Sequence, residues 1–360
     1  MIGRPVFLFI PVSGPGGAGE YYRSLAVAKA VEHRWPGCRI KFVLSRDARY
    51  GGDAPYPVLH VERSPTYETR EVVAILERER PDVVVFDSAG RVAQYRRARE
   101  LGARIVFVSS RATTRRKGFR FRRMRWMDQH WIVAPRLLGG GLGLLERLRM
   151  RFVPRCEVVF LDVLHEPVDE AGTRDLQRRL GVEPGRYVLA CPGGGGVFGG
   201  GPDAAQVYFD ASAELASRAG VPVVAVLGPR FPIPPSPPPD VHVLAGLPNA
   251  KLMGMLRDAR AGIVNGGSLL MQAVVIRAPC VAAPISEDQP ARIAACAARG
   301  LVRPAALDVS SLVREASVLL ADEVRERMRS RLSELALANG VENAVDALER
   351  VLARDAARSG

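Results

Sequence analysis

The sequence has few cysteines, and no pattern connects them. The five cysteines are scattered along the 360 residues and form no Cys-x-x-Cys pair: Cys38, Cys156, Cys191, Cys280 and Cys296. This spacing argues against a structural zinc site and against a disulfide framework, and it is typical of a reducing compartment. We therefore expect a cytoplasmic protein.

Long apolar runs are also absent. The first run, Val6 to Ile10, stops at Pro11 and is too short for the apolar core of a secretion signal. No later run approaches the roughly 20 residues that cross a bilayer as a helix. We expect a soluble chain that lies, at most, on the inner face of a membrane.

Acidic residues are missing from one segment. The net charge is +13, and eight Lys or Arg residues without any acid stand between Arg111 and Arg125. Large apolar residues interleave with them. A membrane or anion patch is predicted here because cations with aromatic wedges suit an anionic membrane surface; binding of single-stranded nucleic acid and a solvated helix face remain alternatives. The patch comprises Arg115, Arg116, Lys117, Arg120, Arg122, Arg123, Arg125 and Trp126.

The remaining sequence alternates short β-branched runs with helical periodicity. Asp82 to Phe86 and Arg104 to Ser109 are examples of buried strands, and the rhythm restarts at Arg186 to Ala190. Such alternation predicts parallel sheets with helical crossovers, and the length predicts two domains. We expect an α/β fold with Rossmann-like domains at 1–165 and 166–335. A C-terminal helix at 336–360 is expected to pack back on the first domain.

A glycine loop, Gly14 to Gly19, follows the first strand and opens a helix. Ligands of open α/β sheets bind at such a point, because helix N-terminal amides face outward there; a tight turn without a ligand is the alternative. The loop does not match the Gly-x-Gly-x-x-Gly pattern, which argues against a nicotinamide or flavin dehydrogenase. The candidate acceptor-side residues are Gly16, Gly17, Gly19 and Arg23.

A second constellation occupies residues 259–272, with the sequence ARAGIVNGGSLLMQ. Gly266 and Gly267 permit close backbone approach, and the Ser268 hydroxyl can bond a phosphate oxygen. The alternative is a serine N-cap without a ligand. Seven of the nine residues from Gly193 to Gly201 are glycine. That loop offers bare amides to a diphosphate, or it is a flexible surface loop.

Two segments resemble known sugar-nucleotide enzymes. Gly17 to Ala28, GAGEYYRSLAVA, resembles the first loop and helix of glycosyltransferase family 28, the peptidoglycan lipid-linked N-acetylglucosaminyl transferase type. It also resembles the related sugar-nucleotide hydrolase of pseudaminic acid synthesis. Both groups carry a His where this chain has Glu20. The resemblance implies Glu20 as the catalytic general base; an acid favoured by the helix dipole is the alternative.

The stretch from Leu244 to Leu301 resembles the donor half of the same families. The resemblance implies a GT-B fold, in which two doubly wound parallel-sheet domains face a cleft. Two positions depart from the pattern: Gln272 replaces a ribose-binding Glu, and Leu269 replaces a Thr. The implied nucleotide-sugar-binding residues are Gly193, Gly194, Gly195, Gly196, Leu247, Gly266, Gly267, Ser268, Gln272, Glu287, Asp288 and Gln289.

The implied function is a glycosyltransferase that needs no metal and no cofactor. Its donor is a nucleoside diphosphate sugar, UDP-linked, and its acceptor is lipid-linked or otherwise anionic. A sugar-nucleotide hydrolase that uses water as acceptor is the nearest alternative. A non-catalytic membrane or nucleic-acid binder is a further one, although nucleic acid is not the expected partner.

Overall fold

The chain forms two compact units in a computed structural model that describes residues 4–14, 18–48, 50, 55–135, 141–193, 203–228, 231–232, 234 and 236–356. Unit 1 comprises Met1–Leu164 and Asn339–Gly360. Unit 2 comprises His165–Ala338.

The described part of unit 1 contains a seven-stranded sheet. Its strands are β1 (Val6–Pro11), β2 (Arg39–Ser45), β3 (Val58–Val61), β4 (Val83–Asp87), β5 (Arg104–Ser109), β6 (Gln129–Val133) and β7 (Glu157–Leu161). All pair in parallel, in the order β3-β2-β1-β4-β5-β6-β7. Most of these strands consist mainly of β-branched, aromatic and leucine residues, because a parallel sheet is covered on both faces.

Crossover helices connect the strands of unit 1. They are α1 (Gly19–Arg34), α2 (Thr69–Glu79), α3 (Val92–Glu100), α4 (Ala112–Gly118), α5 (Phe121–Met124) and α6 (Leu144–Phe152). Side chains alternate across β1, so its two faces belong to different cores. Phe7 and Phe9 pack in one core with α1, whereas Leu8 and Ile10 pack in the other with α2 and α3.

Unit 2 repeats this topology. Its described strands are β8 (Val188–Cys191), β9 (Val223–Val226), β10 (Val241–Leu244), β11 (Ala261–Asn265), β12 (Cys280–Ala283) and β13 (Arg303–Pro304). They pair in parallel in the order β10-β9-β8-β11-β12-β13. The helices are α7 (Glu170–Leu180), α8 (Ala204–Ala219), α9 (Asn249–Asp258), α10 (Ser268–Val275), α11 (Gln289–Ala297), α12 (Val309–Leu319) and α13 (Asp322–Ser333).

The last helix, α14 (Val341–Ala356), belongs to unit 1. Its apolar residues recur at helical spacing and join the core that contains α1: Val341, Ala344, Val345, Leu348 and Leu352. The Gln129 amide donates a hydrogen bond to the Ala347 carbonyl at 2.9 Å. Arg34 of α1 pairs with Asp346 at 2.9 Å. No helix in the described part of the chain is long and apolar enough to cross a bilayer.

The α/β fold with two doubly wound parallel sheets confirms the sequence-based expectation. The predicted strands at 82–86, 104–109 and 186–190 correspond to β4, β5 and β8. Strand β6 was not predicted, because its sequence, QHWIV, places polar side chains inside the protein. Both Gln129 and His130 are fully buried there, so His130 is an interior residue of the sheet.

His130 makes the folded state sensitive to acid. Its Nε2 lies 2.8 Å from the Ser109 hydroxyl. Burial, together with the charge of Arg115, lowers the pKa of His130 from 6.5 to about 3. The unfolded imidazole therefore binds a proton at a higher pH than the folded one. Protonation in that window favours unfolding, so stability rises with pH between those two values.

We predict that His130→Gln, which does not titrate, makes the free energy of unfolding less dependent on pH between about 6.5 and about 3. The slope of the unfolding free energy against pH should fall by up to about 1.4 kcal/mol per pH unit. Urea unfolding across this window measures it, with the exposed His60→Gln as control. An identical slope in wild type and His130→Gln would contradict the interpretation.

Candidate functional site

The candidate residues of unit 1 lie where the strand order reverses. Strands β1 and β4 are neighbours in the sheet, but the crossovers that follow them run in opposite directions from this point. The carboxyl ends of such a strand pair leave a crevice in which open α/β proteins bind ligands. Helix α1 begins after β1, and Asp87 ends β4. Side chains of α1 and Asp87 meet at this switch point.

A buried ion pair connects α1 to β4. Arg23 Nε donates to Asp87 Oδ2 at 2.8 Å, and Arg23 Nη2 lies 2.5 Å from Asp87 Oδ1. The Ser24 hydroxyl lies 3.4 Å from the same carboxylate. Only 6% of Arg23 and 1% of Asp87 is exposed. Burial disfavours the charged guanidinium, but the attraction and hydrogen bonds of Asp87 outweigh it and raise the pKa of Arg23.

Glu20 lies on the same face of α1, one turn before Arg23. It is buried, and its Oε1 lies 3.5 Å from Arg111 Nη2. The Glu20 charge raises the pKa of both Arg23 and Asp87, after the larger effects of burial and of the ion pair itself. The structure thus brings together two carboxylates and two guanidinium groups. Glu20 and Arg23 were predicted site residues, whereas their contacts with Asp87 and Arg111 were not predicted.

The acceptor-side loop is described only in part. Gly16 and Gly17 lie outside the described residues, and Gly19 is the first residue of α1. Beside this loop, at the carboxyl ends of β1, β2 and β3, is an open pocket of about 310 Å³. Hydroxyl groups, one acid, one base and one aromatic ring line it: Ser13, Gly14, Ser45, Asp47, Arg63, Ser64 and Tyr67.

In unit 2 the candidate residues again lie at the switch point, between β8 and β11. Asn265 ends β11, and its amide donates to the Pro192 carbonyl at 2.7 Å, which connects the ends of the two strands. Its Oδ1 accepts from the Gly267 amide at 2.6 Å. Gly193 has φ +83° and approaches Asn265 so closely that a Cβ would collide with the amide. Asn265 therefore contacts both Gly193 and Gly267 and keeps the two glycines close together.

Gln289 of α11 makes hydrogen bonds to the backbone at the same glycine turn. Its Oε1 accepts from the Gly266 amide at 3.1 Å and from the Ile285 amide at 2.8 Å. Arg292, one turn later, donates to the Gly266 carbonyl at 2.6 Å. Gln289 therefore supports the backbone of the glycine turn, and Arg292 brings a cation to it. Arg292 was not among the predicted residues, although its position one turn after Gln289 places both on one face of α11.

Helix α10 starts at Ser268, where the sequence predicted a helix start. Its N-cap is Gly267, which has no side chain to cap the first-turn amides, and Ser268 itself is exposed. Such amides carry partial positive charge and point beyond the helix end. A helix start with this character can receive an anion.

The other predicted donor residues lie around this turn to different extents. Gln272 is buried on α10, and its Oε1 lies 3.5 Å from the amide nitrogen of Asn249. Leu247 is half-buried, whereas Glu287 and Asp288 are exposed. Asp288 pairs with Arg292 at 3.3 Å. Gly194, Gly195 and Gly196 lie outside the described residues, as does the rest of their loop to Gly201.

The basic segment forms two short helices, α4 and α5, rather than one continuous helix. Arg115 pairs with Glu146 of α6 at 2.5 Å. Arg123 is half-buried and donates to the Gly90 carbonyl at 3.1 Å. Arg125 lies 5.1 Å from the centre of the half-buried Trp126 ring. The remaining bases of the patch are exposed: Arg116, Lys117, Arg120 and Arg122.

In the described ranges, no group of three or more His, Cys, Asp or Glu side chains is arranged to hold a metal ion. At the two switch points the candidate ligand-binding groups are backbone amides, guanidinium groups, amides of side chains and the Glu20 carboxylate.

Comparison with solved structures identifies the fold. No protein-family model matches the chain, and a comparison with curated proteins finds no match. The calicheamicin glycosyltransferase CalG4 is 19% identical, with TM-score 0.65 over 99% of this chain and 100% of that one. The UDP-glucose:anthocyanidin 3-O-glucosyltransferase in complex with UDP is 12% identical, with TM-score 0.66 over 98% and 100%.

A protein described as a UDP-N-acetylglucosamine 2-epimerase from Listeria monocytogenes is similar as well. It is 12% identical, with TM-score 0.59 over 96% of this chain and 95% of that one. The chain thus has the GT-B fold, with its two Rossmann-like parallel-sheet units. At these identities the similarity concerns the fold, which transferases and an epimerase share.

The Arg23–Asp87 pair yields a test of stability. We predict that Asp87→Asn or Arg23→Met lowers the free energy of unfolding by about 3–5 kcal/mol, because either change leaves a buried charge without its partner. The double variant Arg23→Met/Asp87→Leu should recover much of that loss. Urea unfolding measures each variant.

The matched control is the exposed pair of Arg178 and Asp175 on α7. Asp175→Asn should change the unfolding free energy by less than about 1 kcal/mol. If Asp87→Asn also changed the unfolding free energy by less than about 1 kcal/mol, the buried ion pair would not be the link between α1 and β4.

Proposed function

We propose that this chain is a glycosyltransferase that moves a sugar from a nucleoside diphosphate sugar, UDP-linked, to an acceptor hydroxyl. The observation that carries the proposal is the turn at the β8–β11 switch point, where Asn265 holds Gly193 and Gly267 beside the uncapped start of α10. The first-turn amides of α10, which no side chain caps, and the nearby Arg292 guanidinium suit a diphosphate.

The same turn suits the chemistry of transfer. As the bond between sugar and diphosphate breaks, negative charge grows on the leaving phosphate. Preorganised amides and the α10 dipole stabilise that charge without a metal ion, and such stabilisation is often the largest contribution to catalysis. In this proposal Ser268 and the first-turn amides of α10 hold the diphosphate beside Gly193, and Gly194 to Gly196, next in the sequence, supply further amides. Gly266 and Gly267, whose amides already donate to Gln289 and Asn265, let the turn approach the diphosphate closely.

The nucleoside and the sugar would be held by the residues around this turn. Gln272 accepts a ribose hydroxyl, in place of a carboxylate, and Leu247 packs against the base. Gln289 keeps the glycine turn in shape from its buried position. Glu287 and Asp288 are exposed acceptors for sugar hydroxyls.

Glu20 is the proposed general base of unit 1. A carboxylate can take the proton of the attacking hydroxyl, and the Arg111 guanidinium lies 3.5 Å from Glu20 Oε1. Arg23 is held by Asp87, and its positive charge interacts with the negative charge of Glu20. The pocket beside the acceptor-side loop, with its hydroxyl groups and the exposed Tyr67 ring, suits a hydroxylated acceptor.

A hydrolase that uses water as acceptor is the second candidate, because a carboxylate base activates water as well as an alcohol. The two functions differ in one measurement. A transferase releases nucleotide only when an acceptor is present, whereas a hydrolase releases it from the donor alone. The basic patch favours transfer to an acceptor that is anionic or lipid-linked, since its exposed cations attract negative charge and water as the acceptor carries none.

We predict that Glu20→Gln slows turnover about 10²–10⁴-fold, because it removes basicity and keeps size and hydrogen bonding. Donor affinity should stay nearly normal, since Glu20 lies in unit 1. Turnover is measured as nucleotide released from UDP-sugars with and without acceptor mixtures, and affinity by calorimetry.

Glu342→Gln on α14 is the control, because its side chain is 76% exposed. It should retain wild-type turnover. If Glu20→Gln turns over within a few-fold of wild type, Glu20 is only an acid favoured by the α1 dipole.

A further inference from the structure

Helix α6 exposes an apolar face to solvent. None of its nine residues is buried. Four large apolar side chains are half to four-fifths exposed: Leu144 at 80%, Leu145 at 68%, Leu148 at 50% and Phe152 at 70%. Their spacing along the chain places them on one side of the helix, with arginines between them. Exposed apolar residues in such a contiguous group mark an interaction site.

The face continues onto α5 and α4. The rings of Phe121 and Phe152 lie 6.2 Å apart, and Phe121 is itself 48% exposed. The Arg115–Glu146 ion pair fastens α6 to α4. Arg149 of α6 lies 3.5 Å from the Phe119 carbonyl between α4 and α5. The three helices therefore present one surface. We name its apolar residues the docking face: Phe121, Leu144, Leu145, Leu148 and Phe152.

Positive charge surrounds the docking face. Between Arg111 and Phe152 the sequence has twelve Lys or Arg residues and two acids, an excess of ten in a chain with net charge +13. Both acids are already paired, Glu146 with Arg115 and the buried Asp128 with Arg99. Seven exposed bases lie on α4, α5 and α6 or at the caps of α5: Arg116, Lys117, Arg120, Arg122, Arg125, Arg147 and Arg151.

We propose that the docking face binds an anionic lipid bilayer, with its leucine and phenylalanine side chains in the interface and the surrounding bases on the headgroups. An interfacial helix has this composition: Leu and Phe on one side, Lys and Arg on the other. Anionic headgroups attract such bases, each adding about fivefold to the binding constant. The chain would lie on the bilayer and not cross it.

Two other occupants fit the observations less well. A second copy of the chain would bring one excess of positive charge against another, and like charges repel. Nucleic acid would pair with the bases, but strands without sequence preference are held by stacking on aromatic rings. Three of the five residues of the docking face are leucines, which gain only from an apolar environment.

Lipid binding deepens the proposed function, because it places the enzyme where a lipid-linked acceptor resides. That link rests on the proposed function, whereas docking itself does not. Binding to vesicles is measured without donor or acceptor, so its failure and a failure of transfer are distinguishable.

The test is flotation of the full chain with vesicles of phosphatidylcholine, alone and mixed with phosphatidylglycerol. We expect binding only to the mixed vesicles, and weaker binding as salt is raised. Leu145→Gln/Leu148→Gln should abolish flotation, because it removes apolar groups and keeps every charge. Arg120→Gln/Arg122→Gln should weaken binding about fivefold per charge removed.

Arg178→Gln/Arg179→Gln, on exposed positions of α7 in unit 2, is the matched control and should bind as wild type does. All these side chains are exposed, so thermal unfolding should be unchanged. The proposal is overturned if neutral vesicles bind equally well, or if the leucine variant floats like wild type. It is also overturned if the face instead mediates dimers in sedimentation, or if single-stranded nucleic acid binds and vesicles do not.

Discussion

In a parallel sheet every strand ends at the same edge, and this constraint organises the protein. Each unit has its first and fourth strands side by side, β1 with β4 and β8 with β11, so the helices that follow diverge and leave backbone and side chains exposed between them. Both clusters of candidate residues lie at these two points. The fold thereby supplies two candidate sites of the same topology, and the local sequence gives each a different set of side chains.

Charged side chains occupy the switch point of unit 1, and neutral side-chain amides occupy that of unit 2. Asp87 and Arg23 neutralise one another where water is excluded, and Glu20 is the carboxylate that the proposed function uses as its base. Asn265 and Gln289 are neutral: Asn265 donates to the Pro192 carbonyl, and both side chains accept from amides of the glycine turn before α10. The proposed function uses a base in unit 1 and an anion site in unit 2.

Local patterns predicted much of the fold, including the helix that starts at Ser268. The strand–glycine–helix order was visible at Gly14 to Gly19 and at Gly266 to Ser268, because glycine and helix start are adjacent in sequence. The Arg23–Asp87 pair joins residues 64 positions apart, and no local sequence pattern predicts a contact over that separation. The exposed face of α6 was missed for a different reason. Its periodicity is that of any amphipathic helix, and only the packed structure shows that its apolar side chains are exposed rather than covered by another described element.

If the start of α10 in unit 2 receives the diphosphate of a nucleotide, UDP should slow amide hydrogen exchange there. Measured with and without UDP, exchange should become slower at Gly193 and in the first turn of α10. Exchange at the start of α12 should not change, because the Asp308 side chain already accepts from the Ser311 amide at 2.7 Å. Unchanged exchange at α10, or equal protection at both helices, would show that no diphosphate binds specifically at α10.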